Sequence, residues 1–137
     1  MKRIHEDKFK IYYENTDSSG FVYHTAYLSM AERARSNMLN KDFSELTIML
    51  KTNSKFFVVK KIKVDFIKPA KLFDNLDITT FYMGNSFTSL NLIQKIEKDG
   101  ADISKIDVQL VWIDGIKSKP TKIPRNIIDR FKSMEIV

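Results

Sequence analysis

The chain has no cysteine, only two histidines and no long apolar run. Without cysteine there can be no disulfide, no thiolate metal site and no cysteine nucleophile. His5 and His24 are too few for a zinc site built from several imidazoles of one chain, so no metal is expected. No stretch approaches the roughly 18 apolar residues of a membrane span, and the opening M-K-R-I-H-E-D-K lacks the apolar region of a signal peptide. A cytoplasmic protein without a membrane span is therefore expected. Internal repeats, low-complexity tracts and linkers are also missing, and 137 residues suit one domain better than two, so a single domain over 1–137 is expected.

What the chain does have is positive charge. Lysine and arginine outnumber the acids 23 to 17, a formal net charge of +6. Such a balance suits nucleic acid, a membrane surface or an anionic small molecule. The charge is concentrated in residues 51–71, where seven lysines stand against one aspartate, and again between Lys117 and Lys132. Hydrophobic residues at 43% are enough for a folded core and exclude a disordered chain.

The pattern predicts an α+β protein. Phe9 to Tyr13 is a short β-rich run, and T-A-Y-L-S-M-A-E-R-A-R-S-N-M-L-N then has the helical period. Tyr27, Ala31, Ala34 and Met38 fall on one face, with Glu32, Arg33, Ser36 and Asn37 turned away. The two alanines in that stripe permit close approach, which implies a helix pressed against a sheet. Residues 40–54 read as a loop or a short second helix. From Phe56 the period becomes two: Ile62, Val64 and Phe66 point one way, Lys61, Lys63 and Asp65 the other, and Pro69 ends the strand. Further strands are predicted over Asn75 to Tyr82, Phe87 to Glu97 and Lys105 to Ile113, joined by M-G-N-S and K-D-G-A-D-I-S connections. P-R-N-I-I-D-R-F-K reads as a short amphipathic helix or an irregular tail.

Between the first strand and the helix lies E-N-T-D-S-S-G-F-V-Y-H, residues 14–24. These are ordinary turn and capping residues, and an arbitrary aspartate before a helix is usually a cap. Ser18 and Ser19 lack the ordered base and acid of a triad and read as turn residues.

Over residues 12–35, Y-Y-E-N-T-D-S-S-G-F-V-Y-H-T-A-Y-L-S-M-A-E-R-A-R, the sequence resembles the YbgC-type acyl-CoA thioesterases of the 4-hydroxybenzoyl-CoA thioesterase family. A looser match, F-V-V-K-K-I-K-V-D-F-I-K-P-A, covers 57–70. The resemblance implies the hotdog fold, a long central helix wrapped by a curved antiparallel sheet of about five strands. It also implies hydrolysis of a coenzyme A thioester of a short-chain acyl group, with that thioester as substrate and no cofactor. Asp17 is the implied catalytic carboxylate, as nucleophile or as the base that activates water. The main-chain amide of His24 is the implied donor to the carbonyl oxygen, while its side chain either orients substrate or packs. Gly20, Val22, Tyr23, Tyr27, Val59, Lys60, Lys61, Asn85 and Ser86 are the implied substrate-binding residues. A homodimer assembling to a homotetramer is implied, with the site between two chains. A link to the Tol–Pal envelope system rests on the resemblance alone.

Two departures stand out. Asn15 replaces the first acid of the acid-Thr-Asp motif, and Asn85 stands in the M-G-N-S-F turn where relatives often place a basic residue that meets coenzyme A phosphates. Lys60, Lys61 and Lys63, or basic residues of the C-terminal segment, could replace it. Two rival readings are a hotdog protein that binds acyl-CoA without hydrolysis or acts as a hydratase, and a nucleic-acid-binding module. The second lacks an exposed stacking platform and any nucleic-acid motif, so no nucleic-acid partner is expected.

Overall fold

The helical stripe read from the sequence is the one that folds inward. In the computed structural model, which describes residues 1–136 of the expected domain, α1 (His24–Asp42) buries Tyr27, Met30, Ala31, Ala34, Arg35 and Met38. Ala31 and Ala34 are fully buried, and their small side chains bring the helix backbone close to the sheet. Around α1 the order is β1 (Lys2–Lys10), a 3-10 turn (Tyr13–Asn15), α1, α2 (Glu45–Asn53), β2 (Lys55–Phe66), β3 (Asn75–Asn85), β4 (Ser89–Lys98), β5 (Ala101–Asp114), β6 (Lys119–Pro120) and α3 (Arg125–Ser133). The paired strands are all antiparallel, in the order β1-β3-β4-β5-β2, with the two-residue β6 on β5. A long helix on a curled sheet of five principal strands is the hotdog arrangement.

Inside this layer the apolar residues form two groups. Met38, Leu90, Leu92, Trp112 and Phe131 belong to one, and Tyr27, Ala31, Ala34, Leu76, Ile78 and Ile96 to the other. On the inner face of β4 the series Leu90, Leu92, Gln94, Ile96 passes from the first group to the second, and the polar exception sits at the junction. Gln94 accepts a 2.8 Å hydrogen bond from the Arg35 guanidinium and donates to the Ala31 carbonyl oxygen at 2.9 Å and the Thr80 hydroxyl at 3.2 Å. The core is thus divided by a hydrogen-bonded polar layer that fixes α1 along the sheet. Burial depresses the Arg35 pKa, with the nearby Glu32 acting in the opposite sense.

Several boundaries differ from the sequence reading. The first strand is Lys2–Lys10 rather than Phe9 to Tyr13, because β1 lies at a sheet edge, where charged residues are tolerated and the apolar signal is diluted. Tyr13–Asn15 instead forms the 3-10 turn. Residues 45–53 are helical, with Leu46 buried. The hairpins are tighter than read: β3 runs on to Asn85 past a bulge between Tyr82 and Gly84, and β5 starts at Ala101. The C-terminal segment is a helix, held by Ile127 and Phe131, both fully buried, with Phe131 stacked on Phe43 at 4.3 Å.

On the free side of the sheet, β2 pairs only with β5. A bulge at Lys60 shifts the alternation, so that both Phe57 before it and Val64 after it pack inward. Val59, Ile62 and Phe66 are nevertheless 47%, 39% and 54% exposed. This strand therefore presents apolar surface beside an unpaired edge.

Because Arg35 is buried with Gln94 as its hydrogen-bond partner, Gln94→Leu should destabilise the protein by about 2–3 kcal/mol by leaving a charged donor unsatisfied. Urea unfolding of Gln94→Leu, Arg35→Met and the double variant should show the double variant costing less than the sum of the two singles. Strict additivity would show that the pair does not act as a unit.

Candidate functional site

The segment from Asn15 to Tyr23 is a closed loop, held at its neck by the Thr16–Val22 bridge and by Tyr23 N–H donating to the Asn15 carbonyl oxygen at 2.8 Å. Segment 70–72 holds its far side, since Val22 N–H donates to Ala70 and Leu72 N–H donates to Gly20. Asn15 fills a backbone role: its Oδ1 accepts from Tyr12 N–H at 2.9 Å and closes the 3-10 turn. An amide oxygen does this as well as a carboxylate, so the departure from the acidic motif is accommodated locally. At the loop tip Gly20 has φ of +83°, a conformation that costs a side-chain-bearing residue about 1–2 kcal/mol.

Asp17 sits on the exposed rim of this loop. Its Oδ1 accepts from the Ser19 amide at 2.8 Å and from the Ser19 hydroxyl, and its own N–H donates to the Phe21 carbonyl oxygen. The Ser19 hydroxyl bond, followed by the Ser19 amide bond, holds the Asp17 carboxyl below its ordinary pKa. A carboxylate so held is ionised at neutral pH. Oδ2 accepts no bond among the described residues. Asp17 is therefore a turn residue with one oxygen committed and one available, so its turn role does not exclude chemistry.

The loop ends at the start of α1. Tyr23 occupies the cap position, a poor capping residue, and no side chain caps the helix. Ala26 N–H bonds back to the Tyr23 carbonyl oxygen, while His24 and Thr25 contribute the first helical amides, which have no partner within the helix. No acidic side chain lies in the first turn to compete for them, and the helix dipole adds positive potential there. This end of α1 can accept a developing negative charge.

Beside it is a pocket of about 280 Å³ lined by Val22, His24, Tyr27, Phe66, Ile67, Lys68 and Pro69. The His24 ring lies 4.5 Å from that of Tyr23 and meets Phe66 edge-on at 6.4 Å. Tyr27 is only 4% exposed, and its hydroxyl accepts from Ala70 N–H at 3.0 Å, so it forms a wall of the pocket and braces segment 67–71. Burial raises the Tyr27 pKa. Phe66 and the residues that follow it were not singled out in the sequence. The alternation of β2 put Phe66 on the face of Ile62 and Val64, but did not show that it would stay 54% exposed and line a pocket with His24 and Tyr27.

The remaining expected residues fall elsewhere. Val59 pairs with Leu110 just before the bulge, and Lys60, at the bulge, shares with Ser86 a groove of about 380 Å³ on the outer face of the sheet. Lys61 and Lys63 line a different outer-face groove with Met83 and Ile93, where Lys63 pairs across the ladder with Asp107. Asn85 and Ser86 border a third groove, against α3. The structure thus brings Val22, His24 and Tyr27 into one pocket beside the Asp17 loop, and it distributes Lys60, Lys61, Asn85 and Ser86 over three adjoining grooves. Among the described residues no cluster of three or more histidine, aspartate or glutamate side chains could hold a metal, and no helix is long and apolar enough to cross a membrane.

Comparison with known proteins matches residues 12–131 to the thioesterase-like superfamily. The acyl-CoA thioester hydrolase YbgC of Escherichia coli O6:H1 is 37% identical over 125 residues, covering 90% of this chain and 92% of the relative. Among solved structures, a probable thioesterase from Bartonella henselae superposes with a TM-score of 0.80 at 27% identity, covering 88% of this chain and 99% of that one. A 1,4-dihydroxy-2-naphthoyl-CoA thioesterase from Synechocystis has the same fold, with a TM-score of 0.86 at 18% identity over 94% of this chain and 96% of its own.

The Ser19 contacts make a testable statement about charge. Ser19→Ala removes the hydroxyl donor but keeps the amide, so the Asp17 carboxyl should titrate closer to the ordinary aspartate value of about 3.9. Carboxyl-carbon NMR titration reads this directly. An unaltered Asp17 titration would show that the hydroxyl does not stabilise the anion.

Proposed function

Because this chain belongs to the thioesterase-like superfamily, we propose that it hydrolyses the thioester of an acyl-CoA, with Asp17 and the N-terminus of α1 as its reactive centre. What supports the reading is that a carboxylate with a lowered pKa and an uncapped helix end belong to one short segment, the 15–23 loop that leads into α1. The His24 amide donates to the carbonyl oxygen as it gains charge, and the helix dipole strengthens that contact. Asp17 removes a proton from water as the water oxygen bonds to the carbonyl carbon. Alternatively, its free oxygen attacks that carbon and water later hydrolyses the mixed anhydride.

In the first route the tetrahedral intermediate collapses by expelling the coenzyme A thiolate; in the second the thiolate leaves as the anhydride forms, and water then releases the acid and restores Asp17. A thiol with a pKa near 8.5 leaves with little help from a general acid, so two protein groups are sufficient and no cofactor is needed. Exclusion of water when substrate binds makes the Asp17 carboxylate more basic than it is in the open loop. The apolar pocket of about 280 Å³ beside His24 has room for a short acyl group, which supports short-chain substrates.

The same reading assigns β2 to a homodimer. Its unpaired edge and the exposed Val59, Ile62 and Phe66 need a partner, and a second β2 aligned antiparallel supplies both hydrogen bonds and apolar cover. With a two-fold axis near the middle of the strand, Phe66 of one chain lies beside the start of β2 in the other. The pocket at His24 is then completed by the second chain. The exposed outer face of the sheet is left for pairing of dimers into a tetramer.

Asp17→Asn should lower turnover of acyl-CoA by about 10²–10⁴-fold while the protein stays folded, since asparagine keeps the turn acceptor and loses only the basic, nucleophilic oxygen. Thiol release by the two proteins decides this, and near-normal turnover by the variant would remove Asp17 from the mechanism. Ile62→Arg should shift sedimentation from at least a dimer toward monomer and abolish turnover with it. An active monomer would show that the pocket does not require the second chain.

A further inference from the structure

We propose that the groove between β1 and the outer side of α1 is a second binding site, for a phosphate monoester, held by Lys10 and Arg33. Its volume is about 470 Å³, larger than that of the pocket beside His24, and no residue lines both. Thr25, Ser29 and Arg33 line it at intervals of four along α1, so they form one stripe on the side of the helix turned away from the buried Tyr27.

Lys8, Lys10 and Arg33 bring three cations to this groove against the single carboxylate of Glu14. Lys8 is committed to Asp77 at 2.7 Å. Lys10 has only a ring for company, its Nζ standing 5.8 Å from the centroid of Phe73. Neither Lys10 nor Arg33 enters an ion pair among the described residues. Two free cations match the charge of about −1.5 to −2 that a phosphate monoester carries at neutral pH. The guanidinium fork suits phosphate oxygens, and the hydroxyls of Tyr23 and Thr25 line the same groove to meet the oxygen left over. A carboxylate would bring one charge and two oxygens to a set of donors that can satisfy more.

The groove also reaches the reactive loop from behind. Asn15 and Tyr23, whose backbone bond of 2.8 Å closes the 15–23 loop, both line it. A ligand seated there braces the neck of the loop that carries Asp17 while the pocket beside His24 stays open. The site is thus an effector site, and it stands independently of the acyl-CoA reading.

The test is equilibrium binding of glycerol 3-phosphate to the full chain by calorimetry. Lys10→Ala/Arg33→Ala should weaken binding at least about tenfold, because each lost cation removes a charge-assisted bond to phosphate. Glu14→Gln should tighten it by about twofold or more, since the one like charge facing the anion is gone. Lys95→Ala, which removes a cation beside Phe81 on β4, should bind like the wild type. In amide NMR spectra the Asn15 and Tyr23 signals should shift on saturation. Absence of binding by the wild type, unchanged affinity in the double variant, an equal loss in Lys95→Ala, or unmoved Asn15 and Tyr23 amides overturns the assignment. Flotation with phosphatidylcholine vesicles, with and without phosphatidic acid, identifies the source of the phosphate. Flotation that needs phosphatidic acid and is lost in the double variant supports the site as one for a lipid headgroup. No flotation, beside intact glycerol 3-phosphate binding, supports it as one for a free phosphate ester. Unfolding midpoints of the variants distinguish lost contacts from lost structure.

Discussion

Gln94 holds α1 to the sheet through the Ala31 carbonyl oxygen in mid-helix, and it does so where Ala31 and Ala34 let the backbone approach closely. Apolar packing alone leaves a helix some freedom to slide along a sheet, because hydrophobic contact is non-directional. A hydrogen bond to a particular carbonyl removes that freedom. The N-terminus of α1, and with it the His24 amide, is thereby placed relative to Phe66 and the Asp17 loop. Arg35 reinforces the arrangement at the expense of burying its charge, which Gln94 compensates by hydrogen bonding rather than by a buried ion pair.

From that fixed helix end the loop follows as a set of local necessities. It must return the chain from the 3-10 turn into the helix within a few residues, and the Thr16–Val22 bridge, the Gly20 conformation and the Asp17–Ser19 bonds accomplish this. The Asp17–Ser19 bonds among them also lower the Asp17 pKa. Loop geometry and the lowered pKa thus share the Asp17–Ser19 contacts, on which the proposed reactive role of these turn residues rests. The absent helix cap belongs to the same logic: a serine or aspartate in place of Tyr23 would stabilise the helix but occupy the amides that a substrate oxygen would use.

The sequence made much of this legible. The α1 stripe, the period-two run of β2 and the hairpin strands follow from side-chain periodicity, whereas the 14–24 stretch read only as a turn, and the family resemblance alone nominated Asp17. β1 was largely hidden because an edge strand need not alternate cleanly, and the amphipathic C-terminal segment showed a helical pattern without revealing that Phe131 would stack on Phe43. The dispersal of Lys60, Lys61, Asn85 and Ser86 over separate grooves was also hidden, because the bulge at Lys60 is a property of pairing with β5. Gln94 was the most concealed of all. A single glutamine in an apolar strand gives no local indication that it will meet a helix carbonyl oxygen and an arginine.

In the proposed mechanism the thioester carbonyl is polarised at the start of α1 and attacked from the Asp17 side. The most direct measurement is a crystal structure of the protein with a non-cleavable acyl-CoA analogue in which a methylene separates sulfur from the carbonyl. The account predicts the analogue's oxygen about 2.7–3.1 Å from the His24 amide nitrogen, with the Asp17 carboxylate facing the carbonyl carbon directly or through one water. An analogue bound with its carbonyl away from the N-terminus of α1, in an otherwise ordered complex, would contradict it.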